Sequence, residues 1–319
     1  LYVQQWRGLT QVGLMAVCSV DEYDAGTIKK HELTRPDKEQ DRSDHIETLG
    51  AQTGLVFLAY RDTSGAVQSA IDTAAATAPV WSTDTGDGVT HTLHVIDNPG
   101  QIAALQSAFA ELPALYIADG HHRSAAASRV AKARGGAGTS GWFLAGIFPD
   151  SQLQVLAYNR VVADLNGHTP ASLLERIGEH FDITPDAMPE PTARGRWTIC
   201  LPNANGTPTW YGLTAKPGVI PQDPVGRLDV AVLQDRVLGP LLGIDNPRTN
   251  TRIQFVGGIR GHKALSDAVA SGKSAVAFHL FPTGMDQLFD VADADALMPP
   301  KSTWFEPKLR AGVLVHLLE

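Results

Sequence analysis

The feature that most constrains this chain is a short apolar strand that runs through a glycine turn into a helix. Residues 115–118 are apolar, Asp119 and Gly120 follow, and the alanine-rich stretch from His121 to Ala133 has the composition of a helix. The first N–H groups of a helix have no partner within it and carry the positive end of its dipole. The pattern therefore predicts an anion-binding junction between a strand and a helix.

Several side chains at this junction can take part in chemistry. Gly120 lets a ligand approach the backbone, and Arg123 on the first helical turn can bind phosphate oxygens in a bidentate manner. Asp119 can hold a cation or accept a substrate proton. His121 and His122 can donate to the anion or carry protons near neutral pH. In the alternative interpretation, Asp119 only caps the helix and the histidines pack or face solvent. Adjacent helical residues point about 100° apart, which argues against one metal ion shared by the two histidines.

A second group of polar residues lies between Lys29 and Lys38, and Asp41 and Arg42 follow it. His31 and Glu32 can position or deprotonate a hydroxyl group. Lys29, Arg35 and Lys38 can hold a carboxylate or a phosphate. The alternative is a solvated charged face, which is the commoner meaning of a charge run.

The stretch Lys301-Ser302-Thr303 is a third candidate, because a lysine followed by hydroxyl residues can bind phosphate. The glycine loop that precedes the lysine in P-loops is absent, so this is not a Walker motif. The alternative is a surface turn in which Ser302 or Thr303 caps a short helix. The pair Gly257-Gly258 allows either an anion site or tight strand-to-helix packing. The chain has no G-x-S-x-G, H-E-x-x-H or C-x-x-C motif.

Charge and cysteine content exclude several classes of protein. With 34 acidic and 26 basic residues the formal net charge is −8, so no overall field attracts nucleic acid or anionic lipid. The longest apolar runs, such as residues 274–282, fall short of the about 20 residues that cross a bilayer. Cys18 and Cys200 lie far apart in apolar stretches, which predicts neither a disulfide framework nor a thiolate metal site. We expect a cytoplasmic protein without nucleic-acid or membrane partners.

The rest of the chain alternates predicted strands and helices. Residues 72–100 are rich in turn formers, and a boundary near Gly167 divides residues 1–166 from residues 167–319. We predict an N-terminal α/β domain that carries the junction and a C-terminal α+β domain whose last segment returns to the cleft, a mixed α/β fold class. Helices of the second domain are predicted over residues 170–180, 228–242, 263–270 and 285–292.

The sequence resembles the domain of unknown function 1015 family of bacteria and archaea, from about Val12 to the C-terminus. Family members usually carry a further N-terminal stretch with a proline-tyrosine-aspartate motif, which is not found here, so we expect this chain to be truncated at its start. The blocks that carry the resemblance are His31–Arg35 with Lys38-Glu39, Ala51–Gly54, Asp119–Arg123, Asn159–Val162, Phe255–Gly258 and Met298–Lys308.

The junction also resembles the phosphate-binding turn of the ParB and sulfiredoxin-like fold, which includes free serine kinases. The resemblance implies that the N-terminal domain has this fold. Sulfiredoxins carry a reactive cysteine in this turn, and no cysteine lies between Cys18 and Cys200, which argues against sulfinic acid repair. The net charge of −8 and the lack of an evident basic recognition helix argue against ParB-type DNA partitioning.

Together these resemblances imply an ATP- or ADP-dependent kinase of free L-serine that uses Mg²⁺ and makes O-phosphoserine. Alternatives are a non-catalytic sensor of a nucleotide or phosphometabolite and a nucleotide or phosphoester hydrolase. No motif specifies the oligomeric state. The implied catalytic residues are Asp119, Glu32 and His122, with Asp119 also at the metal. The implied phosphate-binding residues are Gly120, His121, His122, Arg123, Lys301, Ser302 and Thr303, and the implied substrate-binding residues are His31, Thr34, Arg35 and Lys38.

Overall fold

A computed structural model describes residues 1–75 and 77–319 and divides the chain into two compact units. Unit 1 comprises Leu1–Gln154 and Phe305–Glu319, and unit 2 comprises Val155–Trp304. The division after Gln154 lies upstream of the boundary predicted near Gly167. The final residues belong to unit 1, so the first unit is built from both ends of the chain.

Unit 1 contains a mixed sheet and five helices among its described residues. Its strands are β1 (Tyr2–Trp6), β2 (Leu9–Ser19), β3 (Ile28–Lys29), β4 (Ala51–Gln52), β5 (Val56–Tyr60), β6 (Trp81–Asp84), β7 (Val89–Leu93), β8 (Leu115–Asp119), β9 (Trp142–Pro149) and β18 (His316–Leu317). Its helices are α1 (Val20–Ala25), α2 (Pro36–Leu49), α3 (Ala66–Ala74), α4 (Pro99–Ala110) and α5 (His121–Ala133).

Eight of these strands form one sheet in the order β3-β8-β5-β9-β2-β1-β7-β6. The pairs β3–β8 and β5–β9 are parallel, and the remaining neighbours are antiparallel. Every residue of β5 is buried, as expected for an apolar strand covered on both faces. Strand β8 is second from one edge of the sheet, between the short β3 and the fully buried β5, so the end of β8 and the start of α5 lie beside β5.

Helices α2 and α5 pack against each other in unit 1. Small side chains on α5, such as Ala126, allow the close approach, and Ile46, Val130 and Leu318 complete the cluster. The short strand β18 pairs with β4 immediately after α2, so the last residues of the chain close this side of the unit.

Unit 2 is built around an antiparallel sheet in the order β12-β14-β13-β16-β11-β15. Its strands are β11 (Tyr158–Val162), β12 (Phe181–Pro185), β13 (Arg196–Pro202), β14 (Pro208–Ala215), β15 (Ile253–Gly257) and β16 (Val276–Leu280). Its helices are α6 (Pro170–Ile177), α7 (Asp229–Leu233), α8 (Gly261–Ala270) and α9 (Met285–Asp293). Two further strands, β10 (Gln154–Leu156) and β17 (Trp304–Glu306), contain the unit boundaries.

The mixed α/β class predicted from the sequence is confirmed. One predicted helix is wrong in length: instead of residues 228–242, α7 ends at Leu233 and a π-helical turn, Gln234–Leu238, follows. Pro240 lacks an N–H and its ring clashes with a preceding carbonyl, so the helix cannot continue to residue 242. In the stretch predicted to form turns, Ala76 lies outside the described residues.

Both cysteines are free and buried, Cys18 in unit 1 and Cys200 in unit 2. Burial raises the pKa of each thiol to about 12, so both remain protonated and unreactive at neutral pH. Within residues 1–75 and 77–319, no helix has the length and apolar character of a membrane span.

A buried carboxyl group in unit 2 makes the stability pH-dependent. Asp229 accepts a hydrogen bond from the Gly195 N–H at 3.0 Å, and its Oδ2 has no partner in the part of the chain that the structure describes. Burial raises the pKa of this carboxyl from 3.8 to about 7. The folded protein therefore keeps a proton that the unfolded chain loses as the pH rises through this interval, and stability falls with rising pH.

We expect Asp229→Asn to remove this pH dependence. The wild type should lose about 2–4 kcal/mol of unfolding free energy between about pH 4 and pH 8 through this group, whereas the variant lacks the titration. Urea unfolding at several pH values measures the difference. Asp235→Asn changes an exposed aspartate in the adjacent π-helical turn and should retain the wild-type slope. Equal slopes in wild type and Asp229→Asn would contradict the assignment.

Candidate functional site

The junction between β8 and α5 is held in a conformation that requires glycine. Gly120 has φ +103°, and a Cβ atom there would lie 3.4 Å from the Val56 Cα of the neighbouring strand β5. Any residue with a side chain would be strained in this backbone conformation. The Gly120 carbonyl accepts hydrogen bonds from the N–H groups of Arg123 and Ser124 at 2.8 and 3.1 Å, which start the helix. The helix N-terminus is thus fixed at the end of β8.

The first histidine of α5 points into the protein. His121 is 6% exposed, and its Nε2 accepts a long hydrogen bond of 3.5 Å from the His31 backbone N–H. The two imidazole rings pack edge to face with centroids 4.5 Å apart. Burial lowers the pKa of His121 to about 3 and holds that of His31 well below its usual range. Both rings are therefore neutral, and they fix the segment after β3 against the helix start.

The second histidine meets the start of α2. The His122 Nε2 accepts a hydrogen bond of 3.1 Å from the Arg35 backbone N–H, directly before Pro36 begins the helix. Because Nε2 acts as an acceptor, Nδ1 carries the proton of the neutral ring. The junction thus holds both ends of the segment from His31 to Arg35, through His121 and His122.

The remaining predicted residues of this segment differ in exposure. Glu32 is half-buried, and Lys38 is exposed on the first turn of α2. The Thr34 hydroxyl donates to Glu39. The Arg35 guanidinium pairs with Asp37 at 2.8 Å, and both side chains are more than half exposed. This weak surface pair leaves the Arg35 guanidinium accessible to an anionic group.

Arg123 lies beside a small basic cavity. Its Nη1 donates to the Leu55 carbonyl at 2.7 Å, and a Cβ on Gly54 would lie 3.0 Å from its Nε. The cavity has a volume of about 190 Å³, and Arg123 lines it together with Arg42 and His45 of α2. Two guanidinium groups and an imidazole around one small space form a site for an anionic group such as a phosphate or a carboxylate.

Two of these cavity residues were not among the predicted site residues. Arg42 and His45 are three residues apart on α2, so they lie on the same face of the helix. This spacing on a helix that begins at Pro36 is the feature of the sequence that could have indicated a shared basic face. Which face turns toward α5 depends on the packing of the two helices.

Asp119 forms an ion pair with a residue from the end of the chain. The Lys308 Nζ lies 2.9 Å from the Asp119 Oδ2, and each side chain is 46% exposed. Lys308 ends the last of the sequence blocks that carry the family resemblance, but it was not predicted as a site residue. The pairing brings the final part of the chain to the junction within unit 1.

The third predicted group lies in unit 2, where Arg160 organises the backbone around Lys301. Lys301 has φ +60°, and its carbonyl accepts a hydrogen bond from the buried Arg160 guanidinium at 3.0 Å. Its ammonium lies 5.4 Å from the centre of the Tyr158 ring. The Ser302 hydroxyl donates to the Pro299 carbonyl at 2.6 Å, so it stabilises the turn. Thr303 is half-buried.

A magnesium ion would find one protein ligand at the junction. Across residues 1–75 and 77–319 no group of three or more His, Cys, Asp or Glu side chains is arranged to hold a metal. Mg²⁺ commonly binds through one or two carboxylates, with water and substrate phosphates completing its shell. The half-exposed Asp119 carboxylate fits that role when a nucleotide supplies further oxygen atoms, provided that Lys308 moves away from it.

Solved structures resemble this chain at low sequence identity. A free serine kinase variant in complex with AMP is 12% identical with a TM-score of 0.43, over 91% of this chain and 86% of that one. A conserved hypothetical protein from Pyrococcus furiosus is 12% identical with a TM-score of 0.43, over 95% of each chain. SbnI with a C-terminal truncation, from Staphylococcus aureus, is 12% identical with a TM-score of 0.49, over 95% of this chain and 87% of that one. No curated protein matches the sequence.

A family model matches residues 1–231, which is more than two thirds of the chain. The matched part includes the segment from His31 to Lys38, the junction from Asp119 to Arg123 and the start of α7. The blocks around Gly257 and Lys301 lie beyond its end. The chain therefore belongs to the family described as Protein of unknown function (DUF1015).

Proposed function

We propose that this protein transfers a phosphoryl group from ATP or ADP to the hydroxyl group of a small metabolite, with free L-serine as the first candidate. The observation that carries the proposal is the β8–α5 junction. Within five residues it combines a carboxylate, a glycine turn, a helix N-terminus and an arginine beside a basic cavity. Phosphoryl transfer depends mainly on such positioning and on neutralised charge.

The phosphate groups are assigned to the N-terminus of α5 and the adjoining cavity. The backbone N–H groups after Gly120 and the guanidinium of Arg123 can bind one phosphate together. Arg42 and His45 can bind a neighbouring phosphate, because they line the same cavity as Arg123. His121 contributes through its backbone, since its ring is buried against His31.

The transfer step needs a group that orients the attacking hydroxyl. Asp119 or Glu32 would accept the proton of the serine hydroxyl as its oxygen bonds to the terminal phosphorus. The bond from that phosphorus to the bridging oxygen breaks, and ADP leaves when ATP is the donor, or AMP when ADP is the donor. The role proposed for His122 is a hydrogen bond donated from Nδ1 to a phosphate or hydroxyl oxygen, since its Nε2 accepts from the Arg35 N–H. Mg²⁺, held at Asp119 and by the phosphates, would neutralise charge on the transferred group.

Binding of the amino acid is assigned to the segment before α2. Arg35 and Lys38 can bind the serine carboxylate, and Thr34 can contribute a hydroxyl group. The role proposed for His31 is indirect, because its ring lies in the interior against His121. Phosphate binding by Lys301, Ser302 and Thr303, which belong to unit 2, stays a prediction.

The proposal predicts O-phosphoserine as a product. The protein is incubated with Mg²⁺, ATP or ADP and a panel of free amino acids headed by serine, and the products are followed by phosphorus NMR. We expect O-phosphoserine together with ADP or AMP. Loss of nucleotide without a phosphorylated acceptor would identify a hydrolase. Nucleotide binding without any turnover would identify a sensor, and failure to bind nucleotide would contradict all three functions.

A further inference from the structure

The last residues of unit 1 bring a lysine to the junction. We define the return segment as Phe305–Gly312. Within it, the Lys308 ammonium lies 2.9 Å from the Asp119 Oδ2, at the end of β8 and two residues before α5 begins. Lys308 is separated from Asp119 by 189 positions in the sequence. Tertiary structure must therefore bring the two residues together, and it does so by attaching the return segment to the sheet.

Buried polar side chains from β1 and β2 attach the return segment. The Gln4 Nε2 donates to the Lys308 carbonyl at 3.0 Å, and the Gln11 Nε2 donates to the Glu306 carbonyl at 3.4 Å. Both glutamine side chains are almost completely buried, at 0% and 1% exposure. A buried amide is costly unless it is hydrogen-bonded, and each of these amides donates from Nε2 to the segment. Their Oε1 atoms are buried without a partner among the described residues, so the return segment supplies the side-chain hydrogen bonds that the structure gives the two amides.

Further contacts fix the segment on both sides of Lys308. The Phe305 ring packs on Phe57 of β5 with centroids 5.6 Å apart. Arg310 donates to the buried His91 through its Nε at 3.3 Å. The Gly312 N–H donates to the Thr53 carbonyl at 2.7 Å. The backbone at Lys308 is therefore positioned by at least four strands or loops of unit 1.

The Lys308–Asp119 ion pair contributes little to stability, about 0–1 kcal/mol, because both side chains are half-exposed. The anchored backbone of the return segment places this cation beside the helix N-terminus to which we assign the phosphates. The same segment also contributes Ala311 to the lining of the basic cavity that contains Arg42, His45 and Arg123.

We infer that Lys308 is a phosphate-binding residue of the junction. When a polyphosphate binds at the N-terminus of α5, the Lys308 ammonium exchanges the Asp119 carboxylate for a phosphate oxygen. The flexible lysine stem permits this exchange while the backbone stays anchored by Gln4. Asp119 is then released to face Mg²⁺ or the attacking hydroxyl. The inference rests on the proposed function for its ligand and adds a binding residue from the end of the chain.

Binding of inorganic tripolyphosphate without Mg²⁺, measured by calorimetry, tests the inference. We expect Lys308→Met to weaken binding about 10-fold or more, because a charge-assisted hydrogen bond is lost. Lys308→Arg keeps the charge and should stay within about 3-fold of wild type. The control is Lys132→Met, because Lys132 pairs with Asp24 at the same distance of 2.9 Å near the far end of α5. It should bind like wild type.

The outcomes separate this inference from the proposed transfer reaction. Wild-type affinity in Lys308→Met, with a melting temperature close to wild type, would overturn the inference even if O-phosphoserine is formed. Loss of binding in Lys308→Met but not in Lys132→Met supports it even if no acceptor is phosphorylated. Absence of tripolyphosphate binding by the wild type would also overturn it. Equal losses in both methionine variants would show a general charge effect and count against Lys308.

Discussion

Asp119→Asn is expected to lower kcat for O-phosphoserine formation by about 100-fold or more, because a positioned acid–base group contributes about 10²–10⁴-fold. Asparagine has nearly the same shape and keeps an acceptor oxygen, but it cannot take a proton or carry the charge that Mg²⁺ needs. The Gly120 turn that follows should be preserved. Nucleotide affinity without Mg²⁺ should stay within about 3-fold or increase, since a negative charge beside the phosphates is removed.

The contrast between kcat and affinity is what identifies the role of Asp119. A residue that only caps the helix would change stability and leave kcat intact, whereas a binding residue would change affinity. Asp24→Asn is the matched control, because Asp24 of α1 forms a 2.9 Å ion pair with Lys132, which lies on α5 away from the junction. It should retain wild-type kcat. Wild-type turnover in Asp119→Asn would leave Glu32 as the remaining candidate for the proton acceptor.

The elements of the junction could be predicted from local sequence. The apolar run before Asp119 forms β8, and the alanine-rich stretch forms α5 with the predicted bounds, His121 and Ala133. Pro36 likewise begins α2, as its fixed φ and missing N–H favour the first helical position. In these segments the neighbouring residues decide the conformation, so composition and turn residues are sufficient.

The surroundings of the site depend on contacts that no local pattern encodes. His31 and His121 are 90 positions apart and meet because β3 pairs in parallel with β8. Their burial changes what they can do, from exposed groups that shuttle protons to neutral rings that fix a segment. The local sequence predicts a histidine that titrates near neutral pH, whereas burial lowers the pKa of His121 to about 3, so its ring no longer titrates in that range.

The burial of polar residues within strands was the hardest feature to predict from the sequence. Gln4 and Gln11 have the character of residues on an exposed face, yet both are buried because they hold the return segment. The contact between Lys308 and Asp119 depends on these two anchors together with the contacts of Phe305, Arg310 and Gly312. Arg42 and His45 required knowledge of which face of α2 lies against α5. The strand, glycine turn and helix of the junction were therefore predictable, but the cations around them depend on tertiary structure.

Arg123→Met is expected to weaken ADP and ATP binding by about 10–150-fold, since a hydrogen bond from a charged group contributes about 1.5–3 kcal/mol. The guanidinium is held in place before any ligand arrives, because Nη1 bonds to the Leu55 carbonyl and the side chain lies against Gly54. Little side-chain entropy is therefore lost when phosphate binds. Methionine keeps an unbranched chain beside Gly54 but removes the charge and the donors.

Calorimetry with AMP, ADP and ATP locates the contact along the nucleotide. A guanidinium that binds the terminal phosphates should contribute more to the affinity for ADP and ATP than to that for AMP. The loss of affinity in Arg123→Met should therefore grow with the number of phosphates. Arg129→Met is the control on the same helix, because Arg129 is exposed and donates to Gln40 at 2.6 Å. It should bind like wild type. If Arg123→Met also binds ATP like wild type, the basic cavity is not the phosphate site, because Arg123 joins that cavity to the helix N-terminus.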